Sequence, residues 1–122
     1  MSHAEGFLKL VSEARLNVRE CTVDDVWLKM QQGENFILVD TREDGEWSKG
    51  HISQSIHIGK GVIERDLEAK IPDKHSLIIL YCGGGFRSVL AAEAVQKMGY
   101  TNVISMDGGW RSWCEKGLPT AS

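Results

Sequence analysis

Short apolar runs alternate along this chain with longer segments in which apolar positions recur at helical spacing. The apolar runs, with two shorter extended segments, predict strands over residues 17–21, 36–40, 55–57, 77–81 and 101–105. The helical patterns predict helices over residues 4–15, 23–32, 43–49, 62–70, 88–98 and 107–116. Strands that alternate with helices in this order favour an α/β fold, with a central, mainly parallel five-stranded sheet flanked by helices on both faces.

Length and composition restrict the class of protein. The chain has 122 residues and 42% hydrophobic content, so we expect a single domain over residues 1–122, with residues 1–16 as a docked N-terminal helix. The net charge of -3 offers no basic face for a nucleic acid, and the longest apolar run is too short to cross a membrane. We expect a soluble, cytoplasmic protein; a mitochondrial location stays open because a cleaved presequence leaves no trace.

Cys82 is the candidate nucleophile because of the residues that follow it. Three glycines, Gly83 to Gly85, let the backbone N–H groups of a loop converge, and the helix beyond Phe86 and Arg87 adds the unpaired N–H groups of its first turn. Such a concavity favours the thiolate form of a cysteine, and Arg87 supplies a fixed charge for an oxyanion. The alternatives are a small buried side chain at Cys82 and a glycine-rich turn that binds a nucleotide.

This stretch resembles the active-site loop of the single-domain rhodanese family of sulfurtransferases, and further matches follow the family's order along most of the chain. The matching segments are VDTRE at 39–43, EW at 46–47, GHI at 50–52, SIHI at 55–58, CGGGFRS at 82–88 and DGGW at 107–110. Two departures are mild: SQ at 53–54 replaces the usual Pro-Gly, and DG at 44–45 stands where a proline is common.

The resemblance implies the rhodanese-like, three-layer form of the α/β fold and a double displacement at Cys82. The Cys82 thiolate would take a sulfane sulfur from thiosulfate or a similar small-molecule donor, and the resulting persulfide would pass it to cyanide or a thiol. No metal or organic cofactor is required by this chemistry. We expect the chain to act as a monomer or a weak homodimer.

Substrate contacts are expected from the loop and from one neighbouring segment. The loop candidates are Gly83, Gly84, Gly85, Phe86, Arg87 and Ser88. Lys60 and Arg65 lie in a segment expected to border the pocket, where either is a candidate for contact with a dianionic substrate. Their alternative role is that of solvated surface groups.

Three further residues are candidates for supporting roles. Asp40 follows a predicted strand, where it holds the active loop or its arginine, or caps the next turn. Arg42 is expected to pair with other charges at the rim. His51 is either a base for Cys82 or, as we favour, a ring whose hydrogen bonds to the backbone fix the bend after Gly50.

Two other functions fit the same pattern. Cysteine phosphatases and arsenate reductases resemble rhodaneses in fold, but their signature separates cysteine from arginine by five residues, whereas four residues separate Cys82 from Arg87. The shorter spacing predicts a cradle suited to one sulfur atom. The second rival is a rhodanese-like module that carries a persulfide or binds a partner without turning over thiosulfate. The other cysteines, Cys21 and Cys114, form no C-x-x-C pair and are expected to be inert; the alternative is a thiol that approaches Cys82 closely enough to resolve its persulfide as a disulfide.

Overall fold

The helices and strands follow the predicted alternation in the structure, a computed structural model that describes residues 3–122. The helices are α1 (Glu5–Arg15), α2 (Val23–Gln31), α3 (Asp44–Ser48), α4 (Ile63–Lys70), α5 (Phe86–Lys97) and α6 (Gly109–Glu115). The strands are β1 (Arg19–Cys21), β2 (Ile37–Asp40), β3 (His51–Ile52), β4 (Ile56–His57), β5 (Ile78–Tyr81), β6 (Val103–Met106) and β7 (Thr120–Ala121). The predicted α/β class is confirmed.

The central sheet has five parallel strands in the order β1-β6-β5-β2-β4. β5 is the middle strand, and helices cover both of its faces, which explains its continuous apolar sequence. In the register of β2 and β5, Asp40 pairs with Tyr81. The loops that begin at Thr41 and Cys82 therefore leave the same edge of the sheet side by side, at the carboxyl ends where parallel α/β domains bind ligands.

The alternation of side chains along β5 divides the core into two parts. Ile78 and Leu80 join the apolar cluster formed with α1, α4 and α5, whereas Ile79 and Tyr81 join the cluster formed with α2 and α6. All four side chains are fully buried. The sheet is therefore covered on both faces, as the three-layer prediction requires.

The helices are amphipathic rather than apolar all round. In α1, Val11 and Ala14 are buried against α5, whereas Leu10 is exposed. α2 begins at a capping box, in which the Asp25 N–H donates to the Thr22 side chain at 3.1 Å and the Thr22 N–H donates to the Asp25 carboxylate at 2.9 Å. Within residues 3–122, no helix combines the length and the hydropathy that a membrane span requires.

A two-stranded antiparallel pair, β3 with β7, lies outside the central sheet and was not predicted. It joins the bend after Gly50 to the C-terminal segment, where Ile52 pairs with Thr120. The indole N–H of Trp113 donates to the Pro119 carbonyl at 2.9 Å and so holds this segment against α6. Each of the two strands has only two residues, and no local pattern indicates that segments so far apart in the chain pair with each other.

Candidate active site

The Cys82 side chain points into the loop that joins β5 to α5. Its Sγ accepts hydrogen bonds from the Gly85 N–H at 3.2 Å and from the Ser88 N–H at 3.3 Å. Only 1% of Cys82 is exposed to solvent, and the residue lines a pocket. Two amide dipoles directed at one sulfur atom stabilise negative charge on it, as expected for a nucleophilic thiolate.

The start of α5 contributes to this cradle. α5 begins at Phe86, two residues before the helical pattern of apolar positions starts at Ser88. The Ser88 N–H that reaches Sγ therefore belongs to the first turn of the helix, whose N–H groups have no intrahelical acceptor. Among residues 3–122, the N–H groups of Gly84, Phe86 and Arg87 donate to no protein atom, so they remain available to an acceptor in the loop.

A buried pair of hydroxyl groups lies beside the thiol. The Cys82 thiol donates to the Ser88 Oγ at 3.5 Å, and the Ser88 Oγ lies 2.8 Å from the Ser105 Oγ on β6. Both serines are 0% exposed. When Cys82 is a thiolate, Ser88 can reverse its role and donate to the sulfur while it accepts from Ser105.

The N-terminus of α6 holds the loop from the other side. The Trp110 N–H donates to the Cys82 carbonyl at 2.8 Å, and the Arg111 N–H donates to the Gly83 carbonyl at 3.0 Å. Each carbonyl shares a trans peptide unit with the N–H of the next residue, and a trans peptide directs these two groups in opposite directions. The two bonds therefore turn the N–H groups of Gly83 and Gly84 away from α6.

This packing requires glycine at two positions. Gly85 has a φ of +104°, and a Cβ there would lie 3.1 Å from the Asp107 Oδ1. Gly109 has a φ of +53°, and a Cβ there would overlap the Cys82 carbonyl. The GG of the matched segment at 107–110 thus allows α6 to approach the active loop closely.

Arg87 lies beside the loop in an ion pair. Its Nη1 donates to Glu46 Oε1 at 2.8 Å and its Nη2 donates to Glu46 Oε2 at 3.1 Å. These hydrogen bonds, more than any other cause, lower the pKa of Glu46 to about 2, and in return they raise the pKa of Arg87. The Arg87 Nη2 also lies 3.2 Å from the position of a Cβ on Gly83. Arg87 therefore lies beside the loop, as expected, but its Nη1 and Nη2 groups are already hydrogen-bonded to Glu46.

A pocket of about 770 Å³ opens at the Cys82 loop. It is lined by Cys82, Gly83, Gly84, Phe86 and Arg87 of the loop, by Glu46 and Arg111, and by His3, Ala4 and Phe7 near the start of α1. The rings of His3 and Phe7 have centroids 4.8 and 6.2 Å from that of Phe86. The N-terminal segment thus forms an aromatic wall of the pocket with Phe86.

Asp40 and Arg42 form a pair that lies outside the Cys82 pocket and is buried, rather than at the rim where Arg42 was expected. Both Asp40 carboxylate oxygens accept from the Arg42 guanidinium, at 2.8 to 3.1 Å, and Asp40 Oδ1 also accepts from the Arg42 N–H. Burial lowers the pKa of Arg42, but the hydrogen bonds that Arg42 donates to Asp40 and the negative charge of Asp40 outweigh burial and raise it. Arg42 also donates to the Gly50 carbonyl and lies 4.7 Å from the Trp110 ring. Asp40 therefore caps its own turn and binds Arg42 rather than Arg87.

The two histidines near this pair are held by the backbone. His51 Nδ1 lies 3.2 Å from the Trp47 carbonyl oxygen, and its ring stacks on Trp47 with a centroid distance of 3.4 Å. His57 Nε2 lies 2.8 Å from the Arg42 carbonyl oxygen. These contacts agree with the structural role that we favoured for His51, because its ring does not line the pocket of Cys82.

The structure does not bring Lys60 or Arg65 to the Cys82 pocket. The Lys60 N–H donates to the Thr41 carbonyl, and the Arg65 side chain, 74% exposed, pairs with Asp66 at 2.7 Å in a separate pocket. Both residues follow β4, which is an edge strand with β2 between it and β5. β4 therefore lies two strand spacings, about 10 Å, from β5, the strand that precedes Cys82.

The other two cysteines are free and lie away from the pocket. Burial, followed by the charge of Asp25, raises the pKa of Cys21 to about 11. Burial also raises the pKa of Cys114. Both thiols are therefore held in the protonated form, which is the less reactive one.

Several residues at the site were not identified from the sequence, among them His3, Ala4 and Phe7 of the N-terminal segment. Glu46 lies in the matched segment at 46–47, Ser105 is a polar residue in an otherwise apolar strand, and Arg111 directly follows the matched segment at 107–110. Each of these signals is weak alone, because it shows that a residue is unusual but not which residue it meets.

The fold and the site define a class: parallel α/β domains in which the central strand leads into a cysteine whose sulfur lies in a cradle of backbone amides. Within that class, the chain belongs to the rhodanese-like domain family, because the model of that family matches residues 22–116. α1 and β1 precede the matched region.

The names of proteins similar to this chain are consistent with this family. The chain is 34% identical over 104 residues to the thiosulfate sulfurtransferase GlpE of Haemophilus influenzae (strain PittEE), covering 85% of this chain and 95% of that protein. It is 30% identical over 105 residues to YrkF of Bacillus subtilis (strain 168), named as a candidate sulfur carrier protein. That alignment covers 86% of this chain but only 56% of YrkF, so the chain spans about half of the length of YrkF.

A solved structure matches almost the whole chain. It is a Rhodopseudomonas palustris protein of unknown function, described as a possible tyrosine phosphatase. The two superpose with a TM-score of 0.84 at 25% sequence identity, covering 99% of this chain and 98% of that one. The shared region therefore includes the N-terminal segment that precedes the family match.

Proposed function

We propose that the protein is a sulfurtransferase that moves a sulfane sulfur from thiosulfate, or a similar donor, to a thiophilic acceptor through a persulfide on Cys82. The observation that carries the proposal is the pair of hydrogen bonds to the Cys82 Sγ from the Gly85 and Ser88 amides. The names of relatives such as GlpE support the same activity. Together they favour a sulfur nucleophile that the backbone amides of the loop stabilise.

In the first step, the Cys82 thiolate attacks the outer sulfur of thiosulfate. The bond between that sulfur and the sulfonate sulfur breaks, sulfite leaves with the electron pair, and Cys82 retains one additional sulfur. The N–H groups of Gly84, Phe86 and Arg87, which have no acceptor among residues 3–122, are candidates to hold the added sulfur. In the second step, cyanide or a thiolate attacks the outer sulfur, and the Cys82 thiolate is the leaving group.

Intact-protein mass spectrometry tests the covalent step. Thiosulfate treatment followed by desalting is expected to add about 32 Da, the mass of one sulfur, to Cys82. Cys82→Ser should show no addition, whereas Cys114→Ser, which removes a thiol outside the pocket, should gain the same mass as the native chain. Absence of the addition from the native chain would contradict the proposal.

A second candidate function is that of a persulfide carrier without thiosulfate turnover. It is favoured by the relative YrkF, named as a candidate sulfur carrier protein. Steady-state release of thiocyanate from thiosulfate and cyanide distinguishes the two functions. A sulfurtransferase releases many equivalents per chain, whereas a carrier that is loaded by another protein releases none.

A third candidate, a cysteine phosphatase, is favoured by the description of the Rhodopseudomonas palustris protein. Four residues separate Cys82 from Arg87, and the Arg87 fork is bound to Glu46. Both features oppose the binding of a tetrahedral phosphate in the loop. Phosphate release from an aryl phosphate, without thiocyanate release, would favour the phosphatase over the sulfurtransferase.

A further inference from the structure

The two arginines that line the Cys82 pocket differ in their electrostatic state. Arg87 is bound through two hydrogen bonds to Glu46, and because the pKa of Glu46 is lowered to about 2, this pair has no net charge at neutral pH. The Arg111 guanidinium has no carboxylate within salt-bridge distance in the part of the chain that the structure describes. Of the two, Arg111 is therefore the one whose positive charge is not compensated.

The backbone of Arg111 is hydrogen-bonded to the Cys82 loop. Its N–H donates to the Gly83 carbonyl at 3.0 Å, and its Nη1 lies 3.7 Å from the position of a Cβ on Gly84. The backbone that carries the guanidinium is thus positioned by the same loop that holds Cys82. Its side chain is exposed and lines the pocket, so an anionic group can reach it there.

The pocket is larger than an inorganic donor or cyanide requires. Its volume of about 770 Å³ lies within the range of pockets that enclose organic ligands, roughly 300 to 1,000 Å³. Phe86 and Phe7 give it an apolar wall, and Phe7 belongs to α1, which precedes the region matched by the family. The pocket thus combines a nucleophilic sulfur, an apolar wall and a cation.

We propose that Arg111 is a specificity-determining residue that selects organic thiols carrying a carboxylate as sulfur acceptors. The proposal rests on the sulfurtransferase function proposed above. The Arg111 guanidinium binds the carboxylate, and the organic part of the acceptor fills the pocket beside Phe86. Arginine suits this role because its planar donor fork matches a carboxylate.

The transfer step needs no further reactant. The acceptor thiolate attacks the outer sulfur of the Cys82 persulfide, and a new S–S bond forms as the bond to the Cys82 Sγ breaks. The Cys82 thiolate leaves with the electron pair, and the proton of the persulfide remains on the transferred sulfur. The products are an organic persulfide and the free enzyme thiolate.

A matched pair of acceptors tests the proposal in a single turnover. The chain is loaded with thiosulfate, desalted, and mixed with either 3-mercaptopropionate, which carries a carboxylate, or 2-mercaptoethanol, which does not. The loss of about 32 Da from Cys82 gives a second-order rate constant for each acceptor. For each variant we take the ratio of the constant for 3-mercaptopropionate to the constant for 2-mercaptoethanol. Comparing this ratio between variants cancels the difference in reactivity between the two thiols.

Arg111→Gln is expected to lower the ratio about fivefold, because only the rate constant for 3-mercaptopropionate should fall. Arg111→Lys should retain part of the preference, because it keeps the charge and loses the fork. Lys116→Gln is the matched control, since it removes the same charge just beyond the other end of α6, and it should leave the ratio unchanged.

Two results would overturn the inference, and they are distinguishable. A ratio in Arg111→Gln within a factor of two of the native ratio, which is about 0.4 kcal/mol, excludes Arg111 as the determinant while the proposed function stands. Failure of the native chain to gain sulfur from thiosulfate appears before any acceptor is added. It would overturn the proposed function, and the inference with it.

Discussion

The Arg87 guanidinium and the Glu46 carboxylate form two parallel hydrogen bonds, of 2.8 and 3.1 Å, beside the loop that holds Cys82. The pair joins α5, which begins at the active loop, to α3, which follows the neighbouring strand β2. It fixes the orientation of Arg87 over Gly83 and neutralises its charge. The arginine expected to meet the substrate therefore works as one half of a pair.

This pair should make stability depend on pH. The hydrogen bonds from Arg87 lower the pKa of Glu46 from its ordinary 4.5 to about 2. Because the folded pKa lies below the unfolded one, the stabilisation is complete above about pH 4.5 and is lost as the pH falls toward about 2. Both side chains are partly exposed, so we expect only about 1 kcal/mol after solvent screening.

Urea unfolding of the native chain and of Glu46→Gln at several pH values measures this contribution. The difference in unfolding free energy between the two should be constant from pH 5 to 7 and shrink between about pH 4.5 and 2.5. Glu64→Gln, an exposed substitution on α4, provides the control. If the difference in unfolding free energy between the native chain and Glu46→Gln stays constant down to pH 2.5, the ion pair does not contribute to stability.

The buried serine pair should matter to the chemistry as well as to the fold. Ser88→Ala removes the hydroxyl that lies 3.5 Å from the Cys82 Sγ but keeps the Ser88 N–H that donates to it. We expect persulfide loading from thiosulfate to slow about fivefold, because the thiolate loses one donor worth about 1 kcal/mol. Rapid-quench mass spectrometry at constant pH gives the rate.

Ser105→Ala separates the kinetic effect from the structural one. It leaves the Ser88 hydroxyl free to donate to the sulfur and removes only its partner 2.8 Å away. Its loading rate should fall less than that of Ser88→Ala, although both variants lose a similar stability. A larger kinetic effect at Ser105 than at Ser88, in folded protein, would refute this order.

The approach of α6 to the loop should be sensitive to a single methyl group. In Gly109→Ala the added Cβ would overlap the Cys82 carbonyl, so the loop must move. We expect the loading rate to fall more than tenfold and the unfolding free energy to fall by about 3 kcal/mol.

Gly117→Ala is a matched control at the opposite end of the same helix. Gly117 has a φ of +67°, comparable with the +53° of Gly109, but no atom lies within 4 Å of its added Cβ. Gly117→Ala should lose only the stability that the new backbone strain costs, about 1 kcal/mol, and should retain its loading rate. Equal kinetic losses in the two variants would mean that strain, rather than contact with the loop, causes the effect.

The cysteine loop could be predicted because its parts are contiguous in the sequence. A buried strand, Cys82, three glycines and a helix in this order leave little freedom in where the backbone amides point. The parallel sheet and its two helical layers followed in the same way from the alternation of short apolar runs with helical patterns. Local sequence was sufficient wherever the feature itself was local.

Residues that reach the site from elsewhere could not be placed. Lys60 and Arg65 were expected at the pocket because they follow a strand of the same sheet, but chain order does not give strand order, and β4 lies at the edge. Glu46 and Arg111 arrive from α3 and α6, and only the packing of those helices brings them to the loop. Long-range pairing of this kind has no local sequence signal.

The aromatic wall that α1 adds to the pocket gives a last prediction. The Phe7 ring lies 6.2 Å from the Phe86 ring between centroids, and both line the pocket that contains Cys82. Phe7→Ala should therefore slow sulfur transfer to an aromatic thiol such as benzyl mercaptan about fivefold, because stacking and apolar burial are lost. Transfer to cyanide, which needs no wall, should change less than twofold. Leu8→Ala, an exposed position on the same helix, is the control for effects on folding. Equal slowing with both acceptors would instead assign Phe7 to the packing of α1 alone, and the wall would then have no part in the choice of acceptor.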